Sequence, residues 1–261
     1  MLVFSYGSNL RLTWAGLTPV GPAWLPDHAL RFGRQRDDER GALDAASAIG
    51  SVCAGWLFEV DDLALSKLDI KEGVEVNAYV REYRVLLDAD GMEVHAEVYR
   101  VVDPVPFAAP DARYLSRVLK GVTRFQMELN GLLDAFANRT PEVLPVFVYG
   151  TLKKGRSNHR TVRRHRVLRR YGWVRGSLKD CGDFPALVNG SQKITGELLM
   201  PGDPEPFFSD IDRLEGFLGF GESGSFFRRS LVRVEPDGVL AWTYRPMFDT
   251  STYPQVIAEC W

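Results

Sequence analysis

A six-residue pattern occurs twice in this chain of 261 residues, as Leu68-Asp69-Ile70-Lys71-Glu72-Gly73 and as Ile211-Asp212-Arg213-Leu214-Glu215-Gly216. A solvated glutamate is a weak base. In a water-poor pocket its pKa rises to a value at which it can take a proton and return it. Well upstream of each copy an apolar run enters a glycine turn: Leu2-Val3-Phe4-Ser5-Tyr6-Gly7-Ser8-Asn9-Leu10 in the first half, Val146-Phe147-Val148-Tyr149-Gly150-Thr151-Leu152 in the second. Successive main-chain N–H groups in such a turn can cradle a carboxylate or a developing oxyanion. Ser8, Asn9 and Thr151 add side-chain hydrogen bonds, and Tyr6 and Tyr149 offer a wall or a phenolic donor.

Taken singly, each feature has a plain structural explanation. A glutamate followed by glycine is the last turn of a solvated helix with its C′ stop, and a tyrosine followed by glycine is a strand ending in a turn. Their recurrence in order is what points to a site. Positions 6 and 149, and positions 72 and 215, lie the same 143 residues apart. Two more pairs keep the order. Gly55-Trp56-Leu57-Phe58-Glu59-Val60 and Gly196-Glu197-Leu198-Leu199-Met200 read as strands entering a short helix, and Ala96-Glu97-Val98-Tyr99 and Ala241-Trp242-Thr243-Tyr244 as alternating strands with a tyrosine in the same phase. Duplication is the simplest account.

The elements that position these residues therefore fall into two domains, 1–143 and 144–261, and a hydrophobic content of 45% supplies apolar material for two cores. Between them, Pro110-Asp111-Ala112-Arg113 opens a helix with Asp111 as N-cap and Leu115, Val118, Leu119 and Val122 on one face. Gly131 punctuates it, a shorter helix covers Leu132 to Ala137, and Asn138 to Pro145 has the prolines and polar residues of a linker.

The first half, through Tyr6-Gly7-Ser8-Asn9-Leu10, Leu68-Asp69, Glu72-Gly73 and Tyr79-Val80-Arg81, resembles the γ-glutamylcyclotransferase family of the AIG2-like superfamily. The second, through Val148-Tyr149-Gly150-Thr151-Leu152-Lys153-Lys154-Gly155, Asn158-His159, Phe184-Pro185-Ala186, Gly196-Glu197 and Asp212-Arg213-Leu214-Glu215-Gly216, is similar to the γ-glutamylamine cyclotransferase branch. The resemblance implies an α+β fold, with a small mixed β-barrel and flanking helices in each domain. It implies no metal and no organic cofactor. It also implies a small γ-glutamyl substrate, converted to 5-oxoproline and a free amine, with Glu72 and Glu215 as proton shuttles. Tyr6, Gly7, Ser8, Asn9, Leu10, Tyr79 and Tyr99 would bind substrate in the first half; Tyr149, Gly150, Thr151, Leu152, Arg229 and Tyr244 would do so in the second.

The second half departs from the pattern at Phe226-Phe227-Arg228-Arg229, where the phenol of Tyr79 has no counterpart, and this favours the first half for activity. Arg81 and Arg229 read equally as solvated strand residues. A single working domain, or a non-catalytic binder of γ-glutamyl or acylated amines, remains open. So does the packing of the two units, as an intramolecular pseudo-dimer or otherwise.

Other classes find little support. A net charge of −2 and a pI near 6.1 give no overall attraction to nucleic acid or an acidic membrane. Cys53, Cys181 and Cys260 lack metal-type spacing and form an odd set, which suits a reducing cytoplasm. No signal peptide or membrane span is legible, so the sequons at Asn138 and Asn189 carry no weight. Gly219-Phe220-Gly221-Glu222-Ser223-Gly224 matches a dinucleotide fingerprint without its strand and helix, and reads as a flexible flap beside the second pocket. His28, His95, His159 and His165 are scattered, without zinc spacing. The arginine-dense run from Arg156 to Arg170 reads as a solvated helix face, with an anionic ligand or nucleic acid as the alternative.

Overall fold

The computed structural model of the chain describes residues 1–36 and 39–256. It divides into two compact units, Met1–Glu142 and Val143–Trp261.

In the first unit, strand β1 (Leu2–Ser5) leads through a short 3₁₀ turn at Ser8–Arg11 into a long hairpin, β2 (Leu17–Gln35) and β3 (Gly41–Val60). Helix α1 (Asp62–Glu72) follows, then a second hairpin, β4 (Tyr79–Asp88) and β5 (Glu93–Val101), and helices α2 (Ala112–Arg124) and α3 (Asn130–Phe136). The strands close a barrel in the order β1-β3-β2-β4-β5, with β5 returning parallel to β1. Its core gathers Phe4, Phe32, Leu43, Phe58, Leu68, Leu86 and Val98, all at most 2% exposed. Asp61 caps α1 by accepting the Ala64 N–H at 2.8 Å.

Helix α2 has Asp111 as its N-cap, accepting the Tyr114 N–H, and buries Tyr114, Val118, Gly121 and Val122. Leu119, read from the sequence as part of this face, is instead 42% exposed. Gly131 does not separate the two helices: it lies inside α3, and the break is at residues 125–129, where the Phe125 N–H still bonds back to the Gly121 carbonyl.

The second unit repeats the plan with β6 (Val146–Val148), helix α4 (His159–Arg163), the hairpin β7 (Val167–Asp180) and β8 (Pro185–Pro201), helix α5 (Pro204–Glu215), and the hairpin β9 (Phe227–Val234) and β10 (Val239–Pro246). Sheet order is β7-β8-β6-β10-β9, with β10 parallel to β6 through Trp242 and Val146. The barrel expected in each unit is closed by continuous ladders in the first. In the second, the seam between β7 and the residue after β9 rests on one bridge, in which Trp173 and Glu235 exchange N–H···O bonds of 3.2 and 2.8 Å.

Asp210 accepts from Arg164 at 2.6 Å, and Glu197 accepts from Arg169 at 2.5 Å. The arginine run is thus no helix face: α4 takes only five of its residues, and Val167 already begins β7. Cys53 and Cys181 are free thiols, and Cys260 lies outside the described residues.

Candidate active site

Each repeated glutamate is the last residue of its helix. The glycine after it takes a left-handed conformation, φ 70° at Gly73 and 63° at Gly216, a region in which any side chain is strained. That turn reverses the chain and brings the next strand back beside the glutamate. In the first unit the Ala78 N–H bonds to the Gly73 carbonyl at 3.0 Å; in the second, the Phe226 N–H bonds to the Gly216 carbonyl at 2.9 Å. Ala78 and Phe226 therefore occupy the same place relative to their glutamates.

A hydrogen-bonded relay common to both units fixes the glycine turn against the helix. The Tyr6 hydroxyl donates to the Tyr99 carbonyl at 2.5 Å, and the Tyr99 hydroxyl donates to Asp69 at 2.6 Å. In the second unit the Tyr149 hydroxyl donates to the Tyr244 carbonyl at 2.7 Å, and the Tyr244 hydroxyl donates to Asp212. The repeated aspartate, three residues before the glutamate, is thus the tie between helix and strand. The sequence reading quoted it without giving it a role. Arg81 reaches Asp69 at 3.7 Å and Arg229 reaches Asp212 at 3.3 Å. Burial raises the pKa of Tyr6, Tyr99, Tyr149 and Tyr244, so these phenols stay protonated and act as donors.

The two pockets differ in what fills them. The first, about 30 Å³, is lined by Tyr6, Gly7, Ser8, Asn9, Glu72, Tyr79, Tyr99 and Tyr114. Lys71 forms an ion pair with Glu72 at 2.7 Å and donates to Ser8 Oγ at 3.3 Å, tying the glutamate to the loop it faces. Tyr79 donates to the Leu43 carbonyl, and Tyr114, from α2, accepts the Leu43 N–H. The phenol that favoured this half is therefore engaged in holding the pocket wall.

The second pocket is about 150 Å³, fivefold larger, and is lined by Tyr149, Gly150, Thr151, Leu152, Asn158, Phe184, Pro185, Leu214, Glu215, Phe226, Phe227 and Tyr244. Leu214 precedes the glutamate where the first copy has Lys71. Burial drives the Glu215 pKa up to about 7, and the Asp212 carboxylate adds to the shift. The loop opposite is braced by side chains. Asn158 Nδ2 donates to Thr151 Oγ1 at 3.1 Å, and the Lys154 N–H donates to both oxygens of Glu197 at 3.1 and 3.2 Å. Glu197 is held in turn by Arg169, which also contacts His159 Nε2 at 2.9 Å. A Cβ on Gly150 would lie 2.7 Å from Pro185 Cγ, so only glycine lets the loop approach the Phe184-Pro185 ridge this closely.

Two residues expected to bind substrate lie outside the pockets. Leu10 is fully buried, packed against Gly121 of α2, where it anchors the loop rather than lining it. Arg229 is 3% exposed and its guanidinium lies 4.8–5.2 Å from the rings of Phe208, Phe217, Phe220 and Trp242. It braces Asp212 from behind. The segment read as a flap is pinned through Phe217 and Phe220 of that aromatic cage, and residues 219–224 do not line the pocket. Among the described residues no group of three His, Cys, Asp or Glu side chains could hold a metal ion, and no helix is long and apolar enough to cross a membrane.

Residues 146–261 match the family described as γ-glutamyl cyclotransferase, AIG2-like, and residues 53–127 match the AIG2-like family. A γ-glutamylaminecyclotransferase from Bos taurus is 31% identical over 115 residues, which cover 42% of this chain and 67% of that one. The chain belongs to this family. A γ-L-glutamyl-butirosin B γ-glutamyl cyclotransferase from Niallia circulans is 35% identical over 102 residues, 38% of this chain. The match spans 64% of that relative's length. A solved structure of a γ-glutamyl cyclotransferase is 22% identical, with 54% of this chain and 89% of the other covered and a TM-score of 0.47. The two family matches fall one in each unit.

Proposed function

We propose that the chain is a cofactor-independent γ-glutamyl cyclotransferase, and that its second unit carries the working site. The observation that carries this reading is Glu215, an enclosed carboxyl with a pKa near 7 in an open pocket shared with the Gly150-Thr151-Leu152 loop. The loop amides receive the substrate's α-carboxylate, which directs the α-ammonium toward Glu215. Glu215 takes a proton from the ammonium, and the freed amine attacks the γ-carbonyl carbon. A new N–C bond closes the five-membered ring while the C–N bond to the departing amine breaks. The proton held by Glu215 passes to that amine, and the same carboxylate then takes the second proton from the ring nitrogen and delivers it as well, so the lactam leaves neutral and the amine departs as an ammonium. No water is consumed, and no protein nucleophile is needed. A carboxyl titrating near neutrality suits both transfers, because neither protonation state is rare.

In the first unit Glu72 is ion-paired with the Lys71 ammonium and the pocket is the smaller of the two, which supports a scaffolding or binding role there. The test is 5-oxoproline release from γ-glutamyl amides by the intact chain. Glu215→Gln is expected to remove turnover, and adding Glu72→Gln to it to change nothing further. Full activity in Glu215→Gln would overturn the assignment to the second unit, and full activity in the double variant would overturn the mechanism.

A further inference from the structure

Phe184, Phe226 and Phe227 form a phenylalanine wall in the second pocket, where four of the five aromatic residues lining the first are tyrosines. Phe226 is suspended from the glutamate's own turn by its N–H bond to the Gly216 carbonyl, 2.9 Å, and lines the pocket together with Glu215. Phe184 meets Phe226 edge-on at 5.9 Å and Phe227 at 5.8 Å, and Phe248 stacks behind Phe226 at 4.7 Å with 19° between the planes. Despite this support Phe226 stays 48% exposed, a large apolar ring left open at the pocket. Leu214 and Pro185 extend the same surface.

The fold itself does not require this wall. Ala78 stands in the place of Phe226 in the first unit, with the same backbone bond to its glycine, and that unit is closed and packed without a ring there. The wall is therefore particular to the second pocket and not a requirement of the shared plan.

Charge narrows the occupant further. Among the described residues that line the pocket, Glu215 is the one ionisable carboxyl. A bound glutamyl group uses it for its α-ammonium and the loop amides for its α-carboxylate, so no counter-charge remains for a charge on the amine portion. Burying an unpaired ammonium against phenyl rings and a leucine would be costly.

Building on the cyclotransferase reading above, we infer that the second unit selects γ-glutamyl amides of neutral aryl or arylalkyl amines, with the ring of the departing amine seated on Phe184, Phe226 and Phe227. Offset and edge-to-face ring contacts of this kind favour an aromatic guest over an aliphatic one of similar size.

The test compares initial rates of 5-oxoproline release by the full chain from three synthetic substrates: γ-glutamyl-benzylamide, γ-glutamyl-methylamide and the γ-glutamyl-ε-lysine isopeptide. The benzylamide is expected to have a kcat/KM about tenfold or more above each of the others, since a few buried carbons are worth at least that in an apolar pocket. Phe226→Leu is expected to narrow the benzyl-to-methyl ratio several-fold through KM. A methylamide or isopeptide that matches or exceeds the benzylamide overturns the inference while leaving the cyclotransferase reading intact, as does an unchanged ratio in Phe226→Leu. Release from none of the three overturns the cyclotransferase reading, and the inference with it.

Discussion

Replacing Glu215 by glutamine should separate its contribution to chemistry from its cost to stability. The carboxyl has an ordinary pKa of 4.5, raised by burial to about 7 in the fold. Below pH 4.5 it is protonated in both the folded and the unfolded chain, and glutamine is a near-neutral replacement. Between pH 4.5 and 7 the unfolded chain releases the proton while the folded one retains it. The folded state then binds more protons, and stability falls as pH rises. Above about pH 7 both forms are ionised, and the full penalty of the buried charge is reached. Moving the titration from 4.5 to about 7 corresponds to roughly 3 kcal/mol of differential stability between the two protonation states. Partial contact of Glu215 with solvent through the pocket makes this an upper value. Urea unfolding of the intact chain at pH 4.5, 6 and 8, followed by tryptophan fluorescence, should show equal stability at pH 4.5 and Glu215→Gln more stable at pH 8 by about 2–3 kcal/mol. Turnover should vanish in the same variant. A stability difference independent of pH, or a less stable variant at pH 8, would refute the reasoning that an enclosed, uncompensated carboxyl serves as the base.

Three further outcomes follow from the same geometry. Asp212→Asn removes one charged partner of the buried Arg229, so it should destabilise the chain by roughly 1–3 kcal/mol in urea titration. It should also move the acid limb of the kcat/KM profile to lower pH, because Asp212 helps raise the Glu215 pKa. Gly216→Ala forces a methyl group into a left-handed turn, 3.0 Å from Phe226 Cβ, and should cost about 1–2 kcal/mol and lower turnover, checked by unfolding and initial rates. Glu197→Gln leaves the Lys154 N–H an acceptor but loses the charge that holds Arg169, so kcat/KM for the γ-glutamyl amide should drop on the order of tenfold without loss of the folded core, read from steady-state kinetics and far-ultraviolet dichroism.

The order of strands, turns and helices was legible because duplication printed it twice. A strand entering a glycine turn, or a helix ending at Glu-Gly, is common alone, but two registered copies constrain one another. The α2 cap was legible for local reasons, since Asp111 and the Tyr114 N–H are neighbours in sequence. What escaped the sequence depends on contacts far apart along the chain. The inward phase of β9 puts Arg229 on the same side as Phe227, yet only the packed fold shows that it ends among four rings behind Asp212. Favouring the first half rests on its phenol, whereas the proposal for the second rests on the neighbour of the glutamate, Lys71 in one copy and Leu214 in the other. That difference was visible in the aligned repeats. Its consequence was not, because an ion pair depends on where a side chain can reach.

The tyrosine-tyrosine-aspartate tie has a bearing on how such a duplicated chain can change. It belongs to the frame, and it is the same in both copies although the pockets it borders differ in volume. The two modules thus carry glutamates with different neighbours, Lys71 and Leu214, on one and the same set of braces. Frame and pocket lining can therefore diverge independently, and a change in what one copy accepts need alter nothing of its shape.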